Sequence, residues 1–253
     1  VSTNSHSGAK SGTKLVSTKD YVEINGVKHG LIRETIDDSL PVLLVVHGGP
    51  GFPLYPIAKA KNVEFYKYFT VCYYDQRGTG MSYVSDGSLN IEQVVSDSIE
   101  ISKYIINKFD VDKLYLLGHS WGTIVASLAA KVEPHLFHAY IGIGQVGTPQ
   151  ESERETFNYV LAKAKEVGNK KWITEIEGYP FDDQYYKNQK YNTIRSKYTE
   201  KFGAGFLRDG YSNFESLKDI LRTPLYTLKE RINILRGAFY SYQALGETMA
   251  NPT

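Results

Sequence analysis

Hydrophobic and polar positions follow one rhythm in the first half of the chain and another in the second. Tyr21–Ile24 and Val27–Glu34 flank Asn25-Gly26, and an Asn-Gly pair between such runs predicts a tight β-hairpin. Pro41–Val46 is a continuous apolar run, as expected of a strand buried on both faces of a parallel sheet. Phe69–Tyr74, Lys113–Leu117 and His138–Ile143 read as three further strands. Between them, Asn90–Phe109 carries Val94, Val95, Ile99, Ile105 and Ile106 at helical spacing, and Trp121–Val132 reads as a second helix. Strand and helix thus alternate through residues 20–149, with connections short enough for right-handed crossovers. That predicts an α/β fold built on a mostly parallel sheet flanked by helices.

From about Gln150 to Thr253 helical patterns dominate and no buried strand is expected. Thr223-Pro224 offers a cap and a first-turn proline. Leu225, Leu228, Ile232, Leu235, Phe239 and Tyr242 then recur at steps of three and four, predicting one long amphipathic helix. The leader, residues 1–19, is rich in Ser, Thr, Gly and Lys and reads as a flexible arm or a stub left by processing. Because the first residue is Val1, the compartment is open between cytoplasmic and exported or membrane-tethered.

Composition narrows the class of molecule. The 253 residues are 42% hydrophobic and 23% charged, enough for a sizeable core and unlike a disordered chain. Lys plus Arg number 29 against 28 for Asp plus Glu, so no basic face for nucleic acid is implied. A single cysteine, Cys72, excludes an intrachain disulfide; its apolar neighbours predict a buried, inert thiol. With no cysteine pair and no histidine cluster, a structural zinc site is not expected, and the serine chemistry read below calls for no metal or organic cofactor. No apolar run is long enough to span a bilayer.

Three segments carry chemistry. Gly118-His119-Ser120-Trp121-Gly122 is Gly-x-Ser-x-Gly between a predicted strand and a predicted helix. That context places the serine hydroxyl on a tight turn at the C-terminal edge of the sheet, with a helix N-terminus behind it. His47-Gly48-Gly49-Pro50-Gly51 follows a buried strand and can present free backbone N–H groups to a developing oxyanion, with the Trp121 N–H as the second donor. Asp75-Gln76-Arg77-Gly78-Thr79-Gly80-Met81-Ser82 is a polar loop after another strand, in which Asp75 and Arg77 are placed to form a local ion pair.

In order and context, these three segments resemble the proline iminopeptidase group of the α/β-hydrolases. The resemblance runs from about Tyr21 to the end, more weakly after residue 150. It implies an α/β-hydrolase fold in residues 20–149 and a helical cap in residues 150–253. It also implies Ser120 as nucleophile, with the Gly49 and Trp121 N–H groups as oxyanion hole. Members usually cleave an N-terminal residue, often proline, from short peptides, and acidic cap residues bind the free amine. Glu175, Glu177 and Glu247 are the candidates here. The group's elbow often reads Gly-Gly-Ser-Trp-Gly; His119 departs from it and argues against strict prolyl specificity.

Such a serine needs a histidine base and an orienting acid, and in this fold both follow it in the chain. The histidines are His6, His29, His47, His119, His135 and His138, none after residue 138. His135 is expected roughly 20 Å from Ser120, across the length of a helix. The expectation is therefore that further core strands, with the acid and the base, follow residue 253. The reading is a serine hydrolase of small peptides acting through an acyl-enzyme. The alternatives are a carboxylesterase-like enzyme for small esters and a non-catalytic binding protein on the same scaffold. Epoxide hydrolases and haloalkane dehalogenases share parts of the loop pattern, but by resemblance they use an aspartate where this chain has Ser120.

Overall fold

The structure, a computed structural model, describes residues 14–204 and 213–250. Its centre is a six-stranded sheet of β1 (Val16–Ile24), β2 (Val27–Thr35), β3 (Val42–Val46), β4 (Thr70–Tyr74), β5 (Leu114–His119) and β6 (Phe137–Ile143). The strand order is β1-β2-β4-β3-β5-β6. β1, β2 and β4 pair antiparallel, whereas β4, β3, β5 and β6 run parallel. The hairpin forms at Asn25-Gly26, with φ of 49° and 73°, the left-handed pair that a two-residue turn between twisted strands requires. β1 starts at Val16, so residues 16–19 of the expected arm are strand; their alternating exposure shows one face of the ribbon packed. Residues 1–13 lie outside the described part.

Each parallel crossover carries a helix: α1 (Tyr55–Ala60) after β3, α2 (Ile91–Phe109) after β4, and α3 (Trp121–Val132) after β5. β3 shows how the sheet divides the core. Val42, Leu44 and Val46 join a cluster with Ile101, Ile105 and Val125 of α2 and α3. Leu43 and Val45 face the other way, toward Tyr55, Ala58 and Ile220. Both faces are covered, which is why the strand reads as an unbroken apolar run. Asn90 caps α2 by accepting the Gln93 N–H at 2.8 Å.

The second half is helical: α4 (Pro149–Val167), α5 (Lys170–Glu177), α6 (Gln189–Lys201), α7 (Asn213–Arg222) and α8 (Leu228–Ala250). Two features of the last helix differ from expectation. It starts at Leu228, not at Thr223-Pro224. Leu225 has a φ of 66°, and Tyr226 is buried with its hydroxyl on Asp75, so the chain is pulled inward just where the helix was expected to begin. The cap is Thr227 with Glu230: the carboxylate accepts the Thr227 N–H at 2.6 Å and Thr227 Oγ1 accepts the Glu230 N–H at 3.3 Å. The second difference is the buried face. Leu228, Ile232, Leu235, Phe239 and Tyr242, the stripe expected to pack, are all exposed. The buried face carries Asn233, Ile234, Gly237, Ser241 and Leu245. Close approach, not apolar area, sets this orientation. A methyl group on Gly237 would stand 2.5 Å from the Gly78 carbonyl oxygen.

Candidate functional site

The turn from β5 into α3 brings the first two motifs together. Ser120 sits at φ 51°, ψ −123°, a left-handed conformation costly for a residue with a side chain. Its N–H donates to Ile143 O at 2.9 Å, and its carbonyl accepts from the Thr123 N–H at 2.8 Å and the Thr123 hydroxyl at 2.6 Å. The backbone of the turn is therefore fixed, while the half-exposed side chain stays reachable. The flanking glycines are required by space. A methyl on Gly118 would lie 2.7 Å from Gly122 O, and one on Gly122 would lie 2.5 Å from His47 O. The elbow can thus press directly on the end of β3.

The glycine loop lies against the serine. A methyl on Gly48 would come within 3.0 Å of His119 Nδ1 and 3.1 Å of Ser120 Cβ. Gly49 follows at φ 115° and is exposed. Among the described residues, neither the Gly49 N–H nor the Trp121 N–H donates to a protein acceptor. Both N–H groups are thus free to donate, and the accessible Ser120 hydroxyl lies at a helix N-terminus, a setting that favours negative charge.

A buried network fixes that loop. Gln76 donates its N–H to His47 Nε2 at 2.9 Å and its side-chain amide to His47 O at 2.7 Å. Trp121 Nε1 donates to Gln76 Oε1 at 3.2 Å. Since Nε2 accepts from a backbone N–H, the ring proton is on Nδ1, which donates to Gly48 O at 2.9 Å. Burial pushes the His47 pKa down to about 4, so the ring is neutral near pH 7. Both its nitrogens are occupied, which gives His47 a structural role. Gln76 joins all three motifs, and no spacing in the sequence marks it for that role.

The expected Asp75–Arg77 pair does not form. Arg77 instead grips Asp97 of α2 through Nε at 2.8 Å and through its terminal nitrogen at 2.9 Å, both groups buried. A fork-shaped donor meets a carboxylate with two parallel bonds, and helical burial had made Asp97 invisible as a partner. Asp75 accepts the Tyr226 hydroxyl at 2.6 Å and the Met81 N–H at 2.7 Å. Burial raises its pKa to about 7, against the lowering effect of those two bonds.

The other candidates are placed as follows. His29 is buried, with Nδ1 3.3 Å from Asp75 O and Nε2 3.6 Å from Asp97. His119 adjoins the glycine loop, and burial lowers its pKa. His135 and His138 are exposed, and His6 lies outside the described residues. Among the described residues, no histidine hydrogen-bonds the Ser120 hydroxyl. Glu175 is held by Lys197 at 2.8 Å and by the Tyr198 hydroxyl at 2.6 Å; Glu177 pairs with Lys165 at 3.2 Å. Glu247 takes the Tyr186 hydroxyl at 3.4 Å. All three serve contacts within the helical half. Cys72 is buried, and burial pushes its thiol up to about 12. Among the described residues no group of His, Cys, Asp and Glu could hold a metal ion, and no helix is long and apolar enough to cross a membrane.

Comparison with known proteins agrees with this geometry. Residues 41–171 match the family model of the alpha/beta hydrolase fold. The chain is similar to "Probable aminopeptidase YbaC" of Bacillus subtilis (strain 168), 29% identical over 241 residues, which span 93% of this chain and 74% of that protein. It is also similar to a proline iminopeptidase of Heyndrickxia coagulans, 27% identical over 119 residues, or 46% of this chain and 39% of that one. Among solved structures, the proline iminopeptidase of Mycobacterium smegmatis superposes with a TM-score of 0.55 at 14% identity, covering 81% of this chain and 67% of that one, which speaks for the fold alone. The matched segment runs from the strand before the glycine loop through the serine elbow and beyond. This chain belongs to the α/β-hydrolase fold family and, within it, is similar to aminopeptidases and proline iminopeptidases.

Proposed function

We propose that the protein is a peptidase-type serine hydrolase that removes N-terminal residues, proline among them, from short peptides. The observation that carries this reading is Ser120 itself, held at φ 51° on the turn into α3 with Gly48 packed against it. Strain of this kind persists only where the surroundings enforce it, and it clusters at functional sites. In the proposed reaction Ser120 Oγ attacks the carbonyl carbon of the first residue. The resulting oxyanion takes the free N–H groups of Gly49 and Trp121. Collapse breaks the C–N bond and leaves an acyl-enzyme. The hydroxyl proton passes through a base to the departing amine, and water then releases the acyl group. His47 is not that base, since its Nε2 is consumed by the Gln76 N–H. The similarity to an aminopeptidase and a proline iminopeptidase supports the choice of substrate class.

The test is the intact mass of the protein before and after a fluorophosphonate probe, followed by a panel of aminoacyl β-naphthylamides. We expect one adduct, absent in Ser120→Ala, and turnover of the proline derivative. Short acyl esters cleaved much faster than any aminoacyl amide would transfer the reading to a carboxylesterase. No adduct and no turnover would leave a binding protein on a hydrolase scaffold.

A further inference from the structure

Between the β1–β2 hairpin and the first turns of α8 lies a cavity of about 470 Å³, and neither the serine elbow nor the glycine loop lines it. Three cations line it: Lys28 from the hairpin, and Lys229 and Arg236 from α8. Lys229 and Arg236 make no hydrogen bond or ion pair among the described residues, and Lys28 only rests its ammonium 4.2 Å from the centre of the Tyr21 ring. The one carboxylate in the lining, Glu230, is already engaged. It accepts from Lys19 at 2.6 Å, from the Thr227 N–H and from the Tyr21 hydroxyl. The remaining charge of the pocket is strongly positive.

A second observation points to a ligand. Asn233, also in the lining, is only 6% exposed, yet its side-chain amide has no hydrogen-bond partner among the described residues. Such an amide, held on a buried helix face and open only toward the cavity, is a pre-placed donor and acceptor for whatever occupies it. The amide atoms are not sealed off, so their partner, water or a ligand, comes from the cavity. The rings of Tyr21 and Tyr83 supply an apolar wall beside the cations.

We infer that this cavity binds a phosphate-bearing anion, with the Arg236 guanidinium and the Lys229 and Lys28 ammonium groups taking the phosphate oxygens and Asn233 completing the donor set. A planar guanidinium matches phosphate bidentately, and a dianion matches an excess of cations better than one carboxylate does. The class covers free phosphate and a phosphate monoester, whose organic part would lie against the tyrosine rings.

Isothermal titration of the purified protein with inorganic phosphate, phenyl phosphate and acetate tests the inference. We expect saturable binding of phosphate, tighter than acetate, and weakened roughly tenfold by Arg236→Gln, the usual effect of losing one charge-assisted hydrogen bond. Arg236 is exposed, so this variant should melt like the parent, which a thermal scan verifies. Asn233→Leu should weaken phosphate as well. Phenyl phosphate binding more tightly than inorganic phosphate would identify the monoester as the ligand class, and the reverse order would identify the free ion. Acetate binding as tightly as phosphate, or phosphate affinity unchanged by Arg236→Gln, would overturn the inference. So would the absence of binding to either phosphate compound. None of these outcomes depends on labelling or turnover at Ser120, so this inference and the hydrolase proposal can fail separately.

Discussion

Ser120 and His47 show what single residues at this site cost. Ser120 holds a positive φ that an L-residue adopts at an expense of about 1–3 kcal/mol. Ser120→Gly is therefore expected to raise stability by about 1 kcal/mol in urea denaturation, while abolishing fluorophosphonate labelling. A decrease in stability would show that the turn is relaxed. His47 is neutral in the fold, with a pKa of about 4 against about 6.5 when exposed. Between those values only the unfolded chain holds the proton. The stability linked to His47 is thus complete above pH 6.5 and is lost as pH falls toward 4, by at most about 1.4 kcal/mol per pH unit. His47→Gln should flatten that limb of the stability–pH curve, as measured by denaturant midpoints from pH 4 to 7. An unchanged limb would mean that other groups produce it.

At the scale of elements, buried polar links do what the apolar pattern alone could not. Arg77 ties the loop after β4 to Asp97 of α2 and, through its terminal nitrogen, to Asn25 O in the hairpin turn at 3.2 Å. Arg77→Leu leaves the buried Asp97 carboxylate without its cation, held only by the Asn25 and Gln93 side-chain amides and near His29. It is expected to cost about 3–5 kcal/mol, read from chemical denaturation. The stretch before α8 is tied in the same way, by Tyr226 on Asp75. Asp75 has its pKa raised to about 7, so at pH 8 it is mostly ionised and at pH 5 mostly protonated. Removing a donor to the ionised form costs about 1.5–3 kcal/mol, and less once the group is neutral. Tyr226→Phe should therefore lose more stability at pH 8 than at pH 5. Equal losses at both pH values would assign the effect to packing.

Across the whole molecule, α8 is the member that joins the helical half to the loops of the site. Gly237 lies against Gly78 and Thr79, Ser241 lies against Gly51, and Thr79 Oγ1 donates to Gly51 O at 2.6 Å. The glycine loop beside Ser120 is thus backed by the β4 loop and by a helix more than a hundred residues later in the chain. Gly237→Ala is expected to lower the melting temperature and to slow labelling of Ser120, because the added methyl drives α8 off both loops. Phe239→Ser, on the exposed face of the same helix, should change stability by no more than about 0.5 kcal/mol. Similar effects from both variants would mean that the helix, not its contact with the loops, is what matters.

The alternation of strands and helices, the Asn25-Gly26 turn and the serine elbow are legible in the order of residues alone. Each rests on local rules: periodicity, positive-φ residues, and glycines where backbones meet. The resemblance of three short motifs was enough to name the fold family, because those motifs encode loops at fixed places on one sheet. Only folding settles which groups meet across the chain. It paired Arg77 with Asp97 rather than Asp75, and put Tyr226 on Asp75. It turned the small face of α8 inward and left its apolar stripe outside. A helix pattern records the presence of an apolar face, but contact distance selects the face that docks. Where backbone must approach backbone within a few ångströms, glycine and serine fit and leucine does not.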